Sequence, residues 1–330
     1  PDAVRARLRP APQAHWVAPM LATLTERRFS DPAWLFERKL DGERCLAFRN
    51  GAEVRLLSRT RRPLEGTYPE IVDALSTQAA DDIVVDGEMV AFERARTSFE
   101  RLQQRLGITD PEQARRSPVA VFYYVFDVLF ADGGDVRSLP LEERRAVLEG
   151  LLRRRDPLRL TEQMTGDGAA LLADACRDGW EGLIAKRLGT LYTSARSRDW
   201  LKLKCTRAQE LVIGGFTAPR GSRTDLGALL VGHFEDGRLR YAGKVGTGFT
   251  RETLRDLAAR LEPLRREKSP FADEVRERAV TWVEPKLVAE IGFREWTRDG
   301  RLRHPRFLGL RDDKPAEQVV RERPGVVQPG

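Results

Sequence analysis

Lysine is rare in this chain, and the positions where it is kept are the first candidates for chemistry. Only eight of the 57 Lys and Arg residues are lysine, so the chain ordinarily uses arginine as its cation. Arginine stays protonated in a protein, whereas lysine can lose its proton and act as an amine nucleophile. Any single lysine can also be a solvated surface charge, so the residues around it decide the interpretation.

The sharpest pattern around a lysine is Lys39-Leu-Asp41-Gly42-Glu-Arg44. Its structural interpretation is a hairpin with an Asp-Gly turn and flanking charges. Its chemical interpretation makes Lys39 a nucleophile that attacks phosphorus. A lysine with an ordinary pKa of about 10.4 is almost fully protonated at neutral pH, so neighbouring cations that disfavour the ammonium form would activate it.

Trp200-Leu-Lys202-Leu-Lys204 supplies such cations. In a strand, Lys202 and Lys204 point to the same face, and two like charges side by side are costly unless they meet an anion. A nucleoside triphosphate would be a natural anion for them. The alternative is an edge strand whose lysines guard against aggregation.

Carboxylates that could hold a metal ion lie in two further patterns. Asp86-Gly-Glu88 is typical of a strand with both acids on one face, and Glu181-Gly-Leu-Ile-Ala-Lys186 has an acid and a lysine at opposite ends of an apolar strand. Acids at a strand edge can bind Mg²⁺ beside a phosphate or a ribose hydroxyl, although acids next to glycine are also common in turns. Phe126 could stack on a purine or belong to the core.

Short elements, predicted from hydrophobic periodicity and turn signals, position these residues. Strands are expected at 34–40, 44–49, 53–58, 83–92, 118–130, 182–186 and 200–205. Helices are expected at 68–75, 99–106, 141–153 and 168–178. After Cys205 the pattern changes to strands at 211–218, 228–234, 239–245 and 283–293, with a helix at 250–264.

The length of 330 residues is enough for two domains of roughly 100–200 residues each. The mixture of predicted helices and strands indicates the α+β class. We predict a loose N-terminal arm at 1–14, a first domain of antiparallel sheets and helices at 15–206, a β-barrel domain of the OB-fold type at 207–320, and a tail or linker at 321–330. Residues 1–206 carry 33 basic and 31 acidic side chains, and residues 207–330 carry 24 and 19. The more basic barrel suits a phosphate backbone as partner, although a solvated surface would have the same charge.

Several classes of protein are excluded at this point. The longest apolar run, 119–126, is far shorter than the ~20 residues of a membrane-spanning helix, and no signal peptide opens the chain. Cys45, Cys176 and Cys205 are scattered, which predicts neither a disulfide framework nor a zinc site and favours a reducing cytosol. The first residue is proline rather than methionine, which we interpret as a processed chain or a piece of a longer polypeptide.

Six motifs, taken in order, resemble the nucleotidyltransferase core of the ATP-dependent DNA ligases. They are Lys39-x-Asp-Gly-x-Arg44, Ser58-Arg59-Thr60, Asp86-Gly-Glu88, Phe126-Asp127, Glu181-Gly-Leu-Ile-Ala-Lys186 and Trp200-Leu-Lys202-Leu-Lys204. The string Arg306-Phe-Leu-Gly-Leu-Arg311-Asp-Asp313-Lys314 resembles the last motif of that family, on its OB domain. The strings at 216–223, 227–232 and 242–249 are similar to the ligase module of bacterial ligase D proteins.

The resemblance implies a role for each motif residue. Lys39 would carry AMP, and Arg311, Asp313 and Lys314 would complete the catalytic set by orienting the leaving pyrophosphate. Nucleotide binding would involve Glu37, Lys39, Arg44, Arg59, Glu88, Phe126, Lys186, Lys202 and Lys204. The metal ligands would be Glu181 and Glu88, and DNA would be bound by Arg44, Arg59, Lys244 and Arg306.

The implied enzyme is an ATP-dependent DNA ligase that seals 5′-phosphate/3′-hydroxyl breaks through a lysyl-AMP intermediate, with Mg²⁺ or Mn²⁺. The implied setting is double-strand break repair by non-homologous end joining in the bacterial cytoplasm, at the nucleoid. Its partners would be nicked or broken duplex DNA, Ku, and polymerase and nuclease domains of the same polypeptide, with a monomeric chain and no membrane. The alternatives are an RNA capping guanylyltransferase or an RNA ligase, which share the Lys-x-Asp-Gly core, or a non-catalytic DNA-binding module.

Overall fold

The computed structural model describes residues 8–219 and 226–322 and shows a chain of two compact units. The first unit runs to Cys205, and the second begins at Thr206. No helix in the described residues is both long enough and apolar enough to cross a membrane.

Short strands cut by turns dominate the first unit. They are β1 (Arg9–Pro10), β2 (Leu21–Leu24), β3 (Trp34–Arg38), β4 (Glu43–Asn50), β5 (Glu53–Ser58), β6 (Asp82–Glu93), β7 (Arg96–Thr97), β8 (Val121–Ala131), β9 (Gly134–Asp135), β10 (Leu158–Leu160), β11 (Gln163–Met164), β12 (Gly182–Arg187) and β13 (Arg196–Lys204). The helices are α1 (Pro69–Ser76), α2 (Phe99–Gln103), α3 (Pro111–Arg116), α4 (Leu141–Leu151) and α5 (Gly168–Arg177). Helix starts follow local chemistry: Ser98, Asp110 and Asp167 accept hydrogen bonds from the first-turn N–H groups of α2, α3 and α5.

These strands form two sheets. The first has the order β1-β9-β8-β6-β4-β5, with β10 beside β8 and β7 beside β6. The second has the order β11-β3-β12-β13-β2. The pairings are antiparallel except for β10 with β8 and β13 with β2.

Apolar side chains hold the two sheets and the helices together in layers. One core cluster packs the first sheet against α1, α2 and α4, as with Leu148. A second cluster, which includes Phe126 and Trp200, packs the first sheet against the second. A third packs α5 on the second sheet, with Leu172 against Leu183. The inner faces of the two sheets therefore meet around Phe126 and Trp200.

The second unit is a small β-barrel with one long helix against it. Its strands are β14 (Ala208–Thr217), β15 (Leu229–Glu235), β16 (Arg238–Val245), β17 (Arg265–Arg266), β18 (Val280–Val283), β19 (Val288–Gly292), β20 (Glu295–Trp296), β21 (Leu302–Arg303) and β22 (Arg306–Leu310). The strand order is β16-β15-β14-β18-β17, and β19 joins β14 to β22. Helix α6 (Arg251–Leu261) buries Leu254 and Leu257 in the barrel core, and 3₁₀ turns follow at Glu262–Leu264 and Ala316–Gln318.

The prediction of one strand at 283–293 was wrong. The chain forms β18 and β19 there, and both pair with β14, at different positions along it. Pro285 lies between them. Proline has no N–H for a strand ladder, so a single strand could not run through this position.

Residues 8–14 are held on the first sheet rather than loose. Strand β1 pairs with β9, and the Gln13 amide donates to the Arg49 carbonyl at 2.7 Å and to the Asp82 carboxylate at 2.9 Å. Residues 1–7 of the predicted arm, 220–223 of the 216–223 string, and 323–330 of the predicted tail lie outside the described residues.

The cysteines also differ from the expectation that all three are reduced. Cys176, near the end of α5, and Cys205 form a disulfide, whereas Cys45 is free and buried. The fold brings the pair together because the Cys205 N–H donates to the Glu181 carbonyl, just beyond the turn that follows α5. A separation of 29 residues carries no sequence signal of this contact.

We expect Cys176→Ser to destabilise the first unit. The crosslink closes a loop of 29 residues and so restricts the unfolded chain. The variant should therefore lose about 3–4 kcal/mol of unfolding free energy in oxidising buffer, as measured by urea denaturation. In reducing buffer the variant and the wild type should converge, and a difference that persists there would contradict this account.

Candidate active site

Lys39 lies where the chain crosses from the second sheet to the first. Strand β3 belongs to the second sheet and β4 to the first, so Lys39 to Gly42 connect the two. The Asp-Gly pair is therefore not a hairpin turn, which removes the structural interpretation of this motif. The Lys39 N–H donates to the Gly182 carbonyl at 2.9 Å, which fixes Lys39 beside the start of β12.

Two motif glycines are required by close approaches of the backbone. A Cβ atom at Gly42 would lie 2.1 Å from the Met89 carbonyl oxygen, and one at Gly182 would lie 1.9 Å from the Leu203 carbonyl oxygen. Gly182 also has a φ of +148°, which residues with a side chain rarely adopt. A side chain at either position would displace strands that carry site residues.

The ammonium of Lys39 is paired with the carboxylate of Glu181. Lys204 lies 3.9 Å from the same carboxylate, so two cations share one anion. The side chains of Lys39 and Glu181 are 19% and 18% exposed, which leaves them open to a ligand. Two ammonium groups beside one accessible carboxylate suit a phosphate chain.

Lys186 and Glu37 form a buried ion pair on the inner face of the second sheet, 2.8 Å apart. The Lys186 ammonium also lies 4.6 Å from the ring centre of Phe126 and 4.4 Å from that of Trp200. Burial lowers the pKa of Lys186, and the charge of Glu37 opposes that shift. The pair therefore holds the Lys186 ammonium in a fixed position beside Phe126, the ring that was predicted to stack on a purine.

Arg44 also lies close to Phe126. Its guanidinium donates to the Asp86 carboxylate at 2.5 and 2.6 Å and lies 4.5 Å from the Phe126 ring centre. Burial is the largest single effect and lowers the pKa of Arg44, but the charge of Asp86, the hydrogen bonds to Asp86 and the nearby Tyr192 and Glu88 together outweigh it, so the pKa of Arg44 is raised. The Tyr192 hydroxyl also donates to Asp86, at 2.6 Å. Asp86 thus neutralises Arg44, and the sequence analysis assigned it no such role.

A second buried pair, Asp127 with Arg144, supports the strand that carries Phe126. Arg144 donates to both carboxylate oxygens, at 2.8 and 2.9 Å, and to the carbonyls of Leu139 and Thr190. Asp127 was identified in the sequence as part of the Phe126-Asp127 motif. Arg144 lies on α4, and nothing in the sequence distinguishes it from a surface arginine.

The remaining motif residues of the first unit are placed by strand register. Glu88 lies opposite Arg44 in the β4–β6 ladder, and Lys202 lies opposite Ile184 in the β12–β13 ladder. Arg59 follows β5, and its Nε and one Nη atom are buried without a hydrogen-bond partner. Arg59 therefore has donors left for an incoming anion.

The described residues hold no cluster of three or more His, Cys, Asp or Glu side chains suited to a metal ion. Glu181 precedes β12 of the second sheet, and Glu88 belongs to β6 of the first. Mg²⁺ is commonly bound by one or two carboxylates together with phosphate oxygens of the substrate. Glu181 and Glu88 therefore remain predictions as metal ligands.

In the second unit, the residues of the last motif form one ion-pair cluster. Arg311 pairs with Glu290 at 3.1 Å and with Asp313 at 2.9 Å, and Lys314 pairs with Glu210 at 3.1 Å. Glu210 and Glu290 lie opposite each other in the β14–β19 ladder. Neither glutamate was predicted from the sequence, where the only signal of each is an acid inside a largely apolar strand.

The two predicted DNA contacts of the second unit, Lys244 and Arg306, are not members of the ion pairs given above for the last motif. Lys244 lies in β16, is 45% exposed and pairs with Glu277 at 2.7 Å. Arg306 is exposed at the start of β22. Both remain predictions as DNA ligands.

Comparisons with known proteins agree with the motifs. The family model "ATP dependent DNA ligase domain" matches residues 19–204, and "ATP dependent DNA ligase C terminal region" matches residues 222–314. The solved structure "mycobacterial DNA ligase D complexed with ATP and MES" is 35% identical, covers 93% of this chain and 98% of its own, and has a TM-score of 0.66. The chain belongs to the ATP-dependent DNA ligases, in the ligase D family. The predicted fold, a nucleotidyltransferase domain followed by an OB-fold domain, is confirmed.

Longer ligase D proteins contain a similar segment. The "Multifunctional non-homologous end joining protein LigD" of Pseudomonas aeruginosa is 43% identical over 322 residues, which are 95% of this chain and 37% of that protein. The "Multifunctional non-homologous end joining DNA repair protein LigD" of Mycobacterium tuberculosis is 38% identical over 314 residues, 93% of this chain and 40% of that protein. The chain thus spans less than half the length of these relatives.

The buried pair of Lys186 and Glu37 should be strongly coupled. Removing one partner leaves a buried charge without its counter-ion, so Lys186→Met and Glu37→Gln should each lower the unfolding free energy by about 3–5 kcal/mol. The double variant should lose clearly less than the sum. Urea denaturation of the wild type and the three variants measures this coupling, and additive losses would show that the two side chains act independently.

Proposed function

We propose that this chain is the DNA-sealing module of a ligase D protein and that Lys39 is its nucleophile. The observation that carries the proposal is the cluster of Lys39, Glu181 and Lys204, in which an accessible lysine shares one carboxylate with a second cation. RNA capping guanylyltransferase and RNA ligase share the lysine motif, but both family matches are to DNA ligase models. These matches also argue against a non-catalytic DNA-binding module.

In the first step, the Lys39 Nζ atom attacks the α-phosphorus of ATP, the bond to the β-phosphate oxygen breaks, and pyrophosphate leaves. Before ATP binds, Glu181 stabilises the ammonium of Lys39 and holds it in place. When Glu181 turns to another ligand, Lys39 loses that counter-ion while Lys204 stays near. The ammonium form is then disfavoured, and the free amine becomes available.

Adenine is placed between the two sheets of the first unit. Phe126 stacks on the base, and the buried pair of Glu37 and Lys186 offers polar atoms at its edge. One oxygen of Glu37, Oε1, is buried without a hydrogen-bond partner, so it can accept a bond from an exocyclic amine. Glu88 takes the ribose, and Lys202 and Lys204 take the α-phosphate.

A divalent ion, Mg²⁺ or Mn²⁺, would be held by Glu181, with Glu88 as the second carboxylate proposed. When bound, it would offset the negative charge that builds on the transferring phosphoryl group.

Sealing then follows in two transfers. A 5′-phosphate oxygen of the DNA attacks the AMP phosphorus and releases Lys39, and the 3′-hydroxyl attacks the resulting 5′-phosphate and expels AMP. Arg44 and Arg59 bind the 5′-phosphate, because Arg59 has buried donors that lack a partner. Lys244 and Arg306 contribute contacts to the DNA backbone from the second unit.

The cluster of the last motif serves the first step. Arg311, Asp313 and Lys314 orient the pyrophosphate as it leaves. Glu210 and Glu290 hold Lys314 and Arg311 in fixed positions on the barrel.

At the level of the whole protein, we propose a role in joining double-strand breaks in the bacterial cytoplasm, on the nucleoid. The two relatives carry the words "non-homologous end joining" in their names and are more than twice as long as this chain. Nicked or broken duplex DNA is the substrate. Ku and polymerase and nuclease domains of the same polypeptide are the proposed partners, and the ligase module acts as a monomer.

Lys39→Ala and Lys39→Arg should both abolish the transfer of AMP from labelled ATP to the protein. Alanine has no nucleophile, and arginine does not deprotonate. Circular dichroism should show an unchanged fold, because Lys39 is partly exposed. An adduct at the wild-type level in either variant would rule out Lys39 as the nucleophile, and labelled GTP in place of ATP would reveal a guanylyltransferase.

Lys314→Ala should slow self-adenylation much more than it slows sealing of a nick that already carries AMP. Pyrophosphate leaves only in the first step, so a residue that orients it has no role later. Single-turnover assays on pre-adenylated nicks measure the difference, with Lys268→Ala, an exposed lysine of the same unit, as control. Equal losses in both steps would give Lys314 another function.

A further inference from the structure

A second cavity, of about 410 Å³, lies in the first unit beside the active-site strand. Arg38, Trp180, Arg159 and Arg154 contribute to its wall, and none of the family motifs explains them. Arg38 and Trp180 immediately precede Lys39 and Glu181. Lys39 and Glu181 are not among the residues that line this cavity, so it is distinct from the cluster of the candidate active site.

Within residues 8–219 and 226–322, the guanidinium of Arg38 has no carboxylate as a partner. It stacks on the Trp180 ring, 4.7 Å from the ring centre, and its Nε and one Nη atom are buried with no hydrogen-bond partner. Burial lowers the pKa of Arg38. Buried guanidinium donors are ordinarily paired, since leaving them unpaired is costly. The two donors therefore indicate a ligand that accepts hydrogen bonds.

Two more arginines lie in the wall. Arg159 pairs with Asp156 and also donates to the Tyr124 hydroxyl at 3.0 Å, and Arg154 is exposed, with a weak contact of 3.9 Å to Glu149. The wall also contains the carboxylate of Glu162. Asp156 therefore balances Arg159, whereas Arg38 and the exposed Arg154 keep guanidinium donors that can meet an anion.

Apart from Thr161, the rest of the wall is apolar or aromatic. It contains Leu40, Tyr124, Leu160 and Met164, together with Trp180. Arginine planes and aromatic rings side by side are typical of sites that take nucleotides of a strand, where the phosphate meets the cations and the base meets the rings. The volume lies within the range of small-molecule sites, roughly 300–1,000 Å³.

We propose that this cavity is a second phosphate site, separate from that of ATP, and that it binds a backbone phosphate of the DNA substrate through Arg38 and Arg154. The proposal rests on the proposed function, because it takes its ligand from the strand being sealed. The same chemistry would also accept free phosphate or pyrophosphate, which is the competing source.

Binding of a fluorescent nicked duplex over a range of salt concentrations tests the site. Arg154→Ala should weaken binding about twofold and lower the log–log salt slope by about 0.9, and Arg38→Met should weaken binding about tenfold. Arg155→Ala is the matched control, since Arg155 is exposed, adjacent and outside the wall. Equal behaviour of Arg154→Ala and Arg155→Ala would overturn the proposal, even if Arg38→Met failed to fold.

Tryptophan fluorescence then separates the two sources of phosphate. The duplex should change the emission of the wild type much more than that of Trp180→Phe, whereas inorganic phosphate or pyrophosphate alone should not. A Trp180-dependent response to free phosphate that also displaces the duplex would overturn the assignment to DNA. Self-adenylation with ATP is measured on the same samples. If the wild type does not become adenylated, the proposed ligase function is contradicted. If it does, a failure of the binding and fluorescence tests contradicts only the proposed cavity site.

Discussion

The first unit depends on one constraint. Several cations lie close together between its two sheets, and their mutual repulsion must be offset even when no ATP is bound. Each cation lies beside a carboxylate of the fold. Glu181 is shared by Lys39 and Lys204, Glu37 pairs with Lys186, and Asp86 pairs with Arg44. The pairs differ in exposure, and that difference separates their functions. Lys186 and Glu37 are 2% and 3% exposed and form a permanent part of the wall, whereas Lys39 and Glu181 are open to solvent and can exchange partners. A buried pair is fixed by the cost of separating it, and a partly exposed pair can open when a phosphate chain arrives.

The backbone follows from that constraint. Lys39 must reach the start of β12, so the chain crosses between sheets at Lys39 to Gly42 rather than turning back on itself. The crossing brings Gly42 within contact of the Met89 backbone, and β12 meets β13 at Gly182 with equal closeness. Gly42 and Gly182 are thus required because the neighbouring backbone leaves no room for a side chain. The lysines of the same two motifs are instead explained by their charge and their ability to act as an amine. The second unit repeats the rule on a smaller scale, since Glu210 and Glu290 balance Lys314 and Arg311.

Much of this was predictable from the sequence, because the motif residues are spaced along strands whose alternation is clear. The strands of 34–58, the helices at α1, α4 and α5, and the change of pattern after Cys205 follow from local periodicity. The counter-ions do not, because Asp127 meets Arg144 and Glu210 meets Lys314 only through tertiary contacts. The same holds for the disulfide of Cys176 and Cys205. The hairpin interpretation of Asp41-Gly42 failed for a related reason, since only the sheet assignment distinguishes a crossing from a turn. The break at Pro285 is different, because the proline was visible in the sequence and was not used as a sign that one strand ends before the next begins.

The central claim is that Lys39, whose ion pair is partly exposed, is the lysine that becomes covalently attached to AMP, and that the other lysines do not. Peptide mapping by mass spectrometry, after incubation of the protein with ATP and Mg²⁺, tests it most directly. The account predicts a single AMP adduct per chain, on the peptide that contains Lys39, and none on the peptides with Lys186, Lys202 or Lys204. AMP on any of those lysines in place of Lys39 would contradict it.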